Sequence, residues 1–299
     1  MKVRMLAPEA LLLLWQATRL LGLHPTLFDG WTWKKVSQEA SGTSEKPSWA
    51  GNKLNPIHWH RFTCRNRFCR QTFCSHPARA CIQLTQSSIP ASLGLVYSFS
   101  GSSGIPTPTV SCFDNTTLLI RGTPDNPGMT FEILARVQTS PVNRATCSPA
   151  TGSGNATISV NGATSSWMTW VGGTDFNQDA GDAAHSFSFK GPDPHSSLVS
   201  LLTGLSSQSA SSPSSLLNAH IADITSTLST KSPFQLSLGQ KTDFSTPTDQ
   251  LVAAYQVDTG NPYLEWLAFH LGRYLLWSSA RGDLPANLQG KWARDGGNP

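Results

Sequence analysis

The sequence is poor in charged residues and contains no long apolar run. Only 13% of its 299 residues are Asp, Glu, Lys or Arg, about half the usual share, which argues against a coiled coil and against a chain kept unfolded by high charge. No stretch reaches the roughly 18–20 continuous apolar residues that a membrane-spanning helix needs, so we expect no membrane partner. The 24 Gly and 20 Pro residues favour turns and strands over long helices. The length allows one large domain or two ordinary ones.

Charge is distributed unevenly along the chain. Residues 1–90 hold twelve Lys or Arg against four Asp or Glu, whereas residues 91–299 hold ten against fourteen. Phosphate binding requires a basic surface, so the mildly acidic remainder predicts no nucleic-acid partner. Residues 10–17 are largely apolar and follow Lys2 and Arg4, as in a secretory signal, although Pro8 and Glu9 interrupt the pattern.

Residues 1–90 form a basic segment rich in Cys and Trp, without a convincing hydrophobic period, and three interpretations stay open. A zinc site would use thiolates and imidazoles, but the C-x4-C-x4-C-x6-C spacing lacks the paired short knuckles of common zinc modules. Interleaved Arg and Phe residues are compatible with an RNA-binding patch, although such runs are more often solvated. The break in composition near residue 90 also raises the hypothesis that the segment is not native coding sequence. The candidate zinc ligands are Cys64, Cys69, Cys74, Cys81, His58, His60 and His76.

Residues 91–190 have the pattern of a β-sandwich. Short apolar runs at residues 95–99, 117–120, 130–137, 156–160 and 167–171 alternate with clusters of Gly, Pro, Asn and Ser. The Asn161-Gly162 pair is a strong hairpin signal because type I′ turns need positive φ at both central residues. Regular strand spacing of this kind is typical of a sandwich.

The same segment contains features of a secreted glycoprotein. Asn115-Thr116-Thr117 and Asn155-Ala156-Thr157 are acceptor tripeptides for N-glycosylation. Cys112 and Cys147 are the only cysteines beyond residue 90. They form either a disulfide or two buried thiols, and we favour the disulfide and an oxidising compartment.

The hydrophobic period becomes helical after residue 215. Apolar residues recur at helical spacing from Leu216, a short second helix is predicted over residues 247–255, and Asn261-Pro262 opens a third. The third helix carries apolar residues around much of its surface, which predicts burial on most sides. Strands followed by helices indicate an α+β chain.

Two adjacent motifs carry a family resemblance. Residues 272–279 read GRYLLWSS and residues 284–292 read LPANLQGKW, with supporting stretches at residues 166–198, 220–224 and 247–251. Over roughly residues 95–299 the chain resembles glycoside hydrolase family 95, the α-L-fucosidases, and looks most like fungal members. The resemblance implies a partial β-sandwich over residues 91–190 and a helical linker over residues 191–260. Residues 261–299 would then begin an (α/α)6 catalytic barrel.

The resemblance also implies a function. Family members remove terminal α-linked L-fucose from fucosylated oligosaccharides by inversion, which needs a general acid and a general base on opposite faces of the sugar and no cofactor. In the family the catalytic residues lie beyond the matched motifs. No catalytic role is therefore assigned to Glu265, Asp283 or Asp295, and we expect this chain to be a fragment that is inactive alone. The alternative is a non-catalytic glycan-binding or structural remnant.

Three residues of the second motif are candidates for substrate binding. The amides of Asn287 and Gln289 match sugar hydroxyls, and Trp292 can stack on a sugar ring; the alternative is that all three brace the loop after the helix. His270 and Arg273 are interpreted as surface or interdomain packing residues. A metal cluster and a turn-rich connection fit the remaining set equally well, and we expect no metal; the set comprises Asp175, Asp179, Asp182 and His185.

Overall fold

The computed structural model describes residues 33–34, 61–65, 68–87, 92–99, 106–124, 128–152, 154–228, 236–279 and 281. The chain divides into two compact units. One unit comprises Gly30–Ser229, and the other comprises Thr230–Pro299 together with Met1–Asp29.

Two antiparallel sheets form the first unit, and their strands are numbered in chain order. The smaller sheet has the order β1 (Trp33–Lys34), β5 (Leu93–Ser98), β10 (Thr157–Ala163) and β9 (Ala145–Ser148). The larger sheet has the order β2 (Arg61–Arg65), β3 (Phe68–Ser75), β4 (Ala80–Ser87), β11 (Ser165–Thr174), β8 (Phe131–Ser140), β7 (Thr117–Gly122) and β6 (Thr109–Asp114). Sheets of this kind agree with the predicted sandwich, and five of these strands overlap the five predicted apolar runs.

Residues that alternate along the central strands point to opposite faces of the larger sheet. On the face towards the smaller sheet, Val137 and Met168 are directly paired and buried. Tyr97 of β5 is fully buried, and its hydroxyl lies 2.8 Å from Ser166 Oγ of β11. Burial raises the pKa of Tyr97 to about 12, so the phenol stays neutral and joins the two sheets through a hydrogen bond.

Two helices cover the other face of the larger sheet. Helix α1 (His195–Gln208) and helix α2 (Ser214–Leu228) bury apolar stripes against it. Phe73 of β3 stacks on His220 of α2 with ring centroids 5.2 Å apart. The unit therefore has three layers: small sheet, large sheet and helices. The shared core comprises Phe73, Ala78, Ala80, Ile82, Leu134, Val171, Leu198, Leu202, Leu205 and Leu216.

One expectation about the first unit requires correction. Strands β3 and β4 are hydrogen-bonded members of the large sheet, so the break in composition near residue 90 is not an edge of this sheet. Their alternation was hidden because every second position holds Cys, Arg, Gln or Thr, which face the smaller sheet. The Ser-rich start of the predicted helical linker forms α1, whose Leu198, Leu202 and Leu205 are buried one turn apart.

The second unit contains the two later helices that the sequence predicts. Helix α3 spans Thr248–Ala253 and helix α4 spans Pro262–Ser279. The prediction that α4 is buried on most sides was wrong, because the Leu275 and Leu276 side chains are 39% and 57% exposed. Among the described residues, no helix combines the length and apolar character required to cross a bilayer.

Candidate functional site

Helix α4 leads towards the predicted sugar-binding motif, and its first turn is fixed by hydrogen bonds. Asn261 Oδ1 accepts a bond of 3.0 Å from the Leu264 backbone N–H. Glu265 Oε1 accepts bonds from the Asn261 backbone N–H at 3.1 Å and from the Tyr255 hydroxyl at 3.0 Å. Gly260 has φ +68°, and a Cβ there would lie 2.5 Å from Glu265 Oε1. Glu265 is therefore a capping residue of α4, which accounts for the carboxylate without a catalytic role.

Aromatic rings line one side of α4. Tyr263 stacks on Trp266 at 6.1 Å, and Trp266 meets the His270 ring edge-to-face at 4.7 Å. Burial, followed by the nearby Arg273 guanidinium, lowers the pKa of His270. His270 is therefore a neutral imidazole near neutral pH, with one ring nitrogen able to donate and the other able to accept.

An arginine and a tryptophan pack together where α4 ends. The Arg281 guanidinium carbon lies 3.3 Å from the ring centroid of Trp277, a cation–π contact. The predicted sugar-binding residues Asn287, Gln289 and Trp292 follow shortly afterwards and lie outside the described residues, as do Asp283 and Asp295.

The loop that follows β11 contains the residues considered for a metal. Asp175 Oδ1 accepts from the Thr130 backbone N–H at 2.8 Å, which ties the loop to the sheet. Asp182 Oδ1 lies 2.6 Å from His185 Nδ1, and this contact lowers the pKa of Asp182. Among the described residues, no group of three His, Cys, Asp or Glu side chains is arranged to hold a metal ion. Two short 3-10 turns, at Gln178–Ala180 and Ala183–His185, lie in this loop, and the absence of a metal stays a prediction.

Disulfides account for the cysteines that the structure describes. A disulfide joins Cys74 of β3 to Cys81 of β4, and Cys69 is disulfide-bonded as well. These sulfurs cannot act as zinc thiolates, so the zinc interpretation of the basic segment is wrong for these three cysteines. A further disulfide joins Cys112 of β6 to Cys147 of β9, the pair that the sequence analysis favoured.

A buried carboxylate at the start of α1 escaped the sequence analysis. Glu132 of β8 is fully buried, and its Oε2 accepts from Arg121 Nη1 at 2.5 Å. Its Oε1 lies 2.7 Å from Nδ1 of His195, the first residue of α1. Arg121 also pairs with Asp193, whose Oδ1 accepts from the His195 backbone N–H at 2.9 Å.

These contacts form a structural clamp, and they leave Glu132 and Asp193 no role as a pair of catalytic carboxylates. The clamp consists of Arg121, Glu132, Asp193 and His195. Hydrogen bonds to Asp193 and Glu132 raise the pKa of Arg121, and the Arg121 bond lowers the pKa of Asp193 to about 2. Both carboxylates are thus committed to holding α1 against β7 and β8. The one sequence signal for the clamp was Asp193-Pro194-His195, an acidic residue just before a helix start.

Comparison with known proteins assigns the chain to a family. Residues 212–299 match the profile described as the glycosyl hydrolase family 95 catalytic domain. Residues 55–179 match the glycosyl hydrolase family 65 N-terminal domain, a range that includes β3 and β4.

Two fungal proteins give the same result. "Probable alpha-fucosidase A" of Aspergillus oryzae is 33% identical over 240 residues, covering 77% of this chain and 31% of the relative. "Probable alpha-fucosidase A" of Aspergillus niger is 30% identical over 230 residues, covering 75% and 27%. The chain thus spans about a third of the length of these curated relatives. With the motifs and the sheets, these matches show that the chain belongs to glycoside hydrolase family 95, as a partial, α-fucosidase-like member.

Proposed function

We propose that the chain is part of a glycoside hydrolase that removes terminal α-linked L-fucose from glycans by inversion. The observation that carries the proposal is the match of residues 212–299 to the family 95 catalytic domain, since this range contains both sequence motifs. Its fungal relatives bear the name α-fucosidase A. The substrate class is accordingly a fucosylated oligosaccharide, and the reaction needs no cofactor.

The proposed division of labour runs along the chain. The two sheets form the non-catalytic scaffold, and residues 191–260, which contain α1, α2 and α3, form the helical linker to the catalytic part. Helix α4 is the first helix of an (α/α)6 barrel. Its exposed Leu275 and Leu276 support this assignment, because a barrel helix needs an apolar surface for its neighbours.

Asn287, Gln289 and Trp292 are proposed to contact the sugar. Amide groups donate to and accept from hydroxyls, and an indole presents a flat face to the C–H side of a pyranose. Catalysis by inversion needs two carboxyl groups roughly 6.5–9.5 Å apart, and we assign neither of them to this chain.

Two measurements on the full chain test the proposal. Incubation with a 2′-fucosyl oligosaccharide should release no fucose by chromatography, and clear release would contradict the placement of the catalytic groups. Calorimetric titration with the same sugar should give saturable binding that Trp292→Ala abolishes. Asn218→Ala, at an exposed position of α2, is the matched control and should bind as the unmodified chain does.

The alternative is a glycan-binding remnant that uses the sandwich surface. The feature in its favour is that Glu265, the described carboxylate nearest in sequence to the two motifs, is committed to a helix cap. Saturable binding that survives Trp292→Ala would support this alternative over a sugar site in the second motif.

We also infer that the protein is secreted. The disulfides Cys74–Cys81 and Cys112–Cys147 support an oxidising compartment, because glutathione keeps cytosolic thiols reduced. Secretion of the full chain by a fungal host with both disulfides oxidised, as shown by mass spectrometry without reductant, is the expected result. Retention of reduced protein inside the cell would contradict it.

A further inference from the structure

The turn between β6 and β7 exposes a modifiable asparagine in a fixed geometry. The pairing shifts register between Cys112 and Asp114, which makes Phe113 the extra residue of a β-bulge. Asp114 Oδ1 accepts from the Thr116 backbone N–H at 2.8 Å, and its Oδ2 pairs with Arg136 at 2.8 Å. Asn115 follows at the tip of the hairpin, with an exposed side chain.

An exposed aromatic ring precedes this asparagine by two residues. Phe113 is 38% exposed, although large aromatic side chains are usually mostly buried. Its ring meets the His195 ring edge-to-face at 5.7 Å, which restrains its orientation. Thr117, the hydroxyl residue of the acceptor tripeptide, is buried two residues after Asn115. Phe113, Asn115 and Thr117 therefore stand at alternate positions around one tight turn.

We propose that Asn115 carries an N-linked glycan whose first N-acetylglucosamine packs its C–H face on the Phe113 ring. The sugar has an apolar face of axial hydrogens, and an exposed ring face is the surface that it fits. In the linkage reaction, Asn115 Nδ2 forms a bond to C1 of the sugar and loses a proton. The bond from C1 to the diphosphate of a polyisoprenol donor breaks, and the diphosphate leaves.

The second acceptor site, Asn155, differs in the hydrogen bonding of its amide and in the residue two positions before it. Asn155 is also exposed, but its Nδ2 donates to the Phe99 backbone carbonyl at 3.2 Å. The residue two positions earlier is Ser153, which has no ring. A glycan on Asn155 consequently lacks an aromatic partner at this spacing, so this site is an internal control.

The test compares melting temperatures of the full chain secreted from a yeast host. Mass spectrometry first measures occupancy at both sites. An endoglycosidase then trims every glycan to its first N-acetylglucosamine, so only the sugar invoked by the proposal remains. The variants are Asn115→Gln, Phe113→Ala and the double substitution, with Asn155→Gln as control. Phe113→Leu keeps apolar volume without a ring, in case the alanine variant does not fold.

The expected result is occupancy at Asn115 and a melting temperature about 2–4 °C higher for the trimmed chain than for Asn115→Gln. The difference should disappear in the Phe113→Ala or Phe113→Leu background, because no ring remains to contact the sugar. Asn155→Gln should leave the melting temperature within about 1 °C. An unoccupied Asn115, or a sugar effect of equal size without the ring, would overturn the proposal.

Discussion

Removing Arg121 should destabilise the first unit by more than its partly exposed position implies. Arg121→Met keeps the length of the aliphatic stem but removes the guanidinium from the fully buried Glu132 carboxylate, which keeps its hydrogen-bond contact with His195. Breaking a buried ion pair by deleting one partner costs about 3–5 kcal/mol. Because 32% of the Arg121 side chain is exposed and water screens part of the loss, we expect about 2–3 kcal/mol here.

Replacing both partners provides the decisive comparison. Glu132→Leu combined with Arg121→Met removes the buried charge with its partner, so the double variant should be more stable than Arg121→Met alone. Urea unfolding followed by Trp fluorescence measures both, since Trp167 and Trp170 are buried in β11. Arg144→Met, at an exposed arginine of the same unit, is the control. A loss below about 1 kcal/mol for Arg121→Met, or strictly additive losses, would refute the reasoning.

Three further perturbations test other parts of the structure. The pKa of Asp193 is depressed to about 2, so its contribution to stability is present above its ordinary pKa and lost as pH falls from about 4 to 2. Asp193→Asn should therefore flatten the plot of unfolding free energy against pH in this range, and an unchanged plot would contradict the Arg121 pairing. Cys112→Ala with Cys147→Ala should lower the free energy of unfolding by about 2–4 kcal/mol, measured in urea without reductant; no loss would show that the link is dispensable. The hydroxyl of Thr169 is buried with no hydrogen-bond partner among the described residues, so Thr169→Val should be neutral or stabilise by about 1 kcal/mol, and a clear loss in a thermal melt would reveal an unseen partner.

Strand and helix positions were predictable wherever apolar residues carried the period. Strands β8 and β11 and helices α2 and α4 overlap the predicted segments. Strands β3 and β4 were not predicted, because one face of each presents Cys, Arg and Thr to the sandwich interior. Arg70 and Tyr97 show the consequence: the interior of the sandwich is partly polar, and burial lowers the pKa of Arg70 and raises that of Tyr97.

The clamp at the start of α1 depends on register, which local sequence does not encode. Arg121 and Glu132 face each other across β7 and β8, eleven residues apart, and α1 adds His195 from farther along the chain. The proposed sugar contacts were accessible from sequence for the opposite reason. Asn287 and Trp292 lie in one short, specific motif and were proposed from the chemistry of their side chains without knowledge of the fold; their contact with the sugar stays a prediction.

A chimera provides the most direct test of the proposed α-fucosidase function. Residues 212–299 of this chain replace the aligned segment of the Aspergillus oryzae relative, and fucose release from a 2′-fucosyl oligosaccharide is measured against the unmodified relative. The account predicts substantial fucose release by the chimera. Trp292→Ala should reduce this release at least about tenfold, which corresponds to about 1.4 kcal/mol of transition-state binding. Asn218→Ala should leave the release unchanged. A folded chimera that releases no fucose, or one that Trp292→Ala leaves fully active, would contradict it.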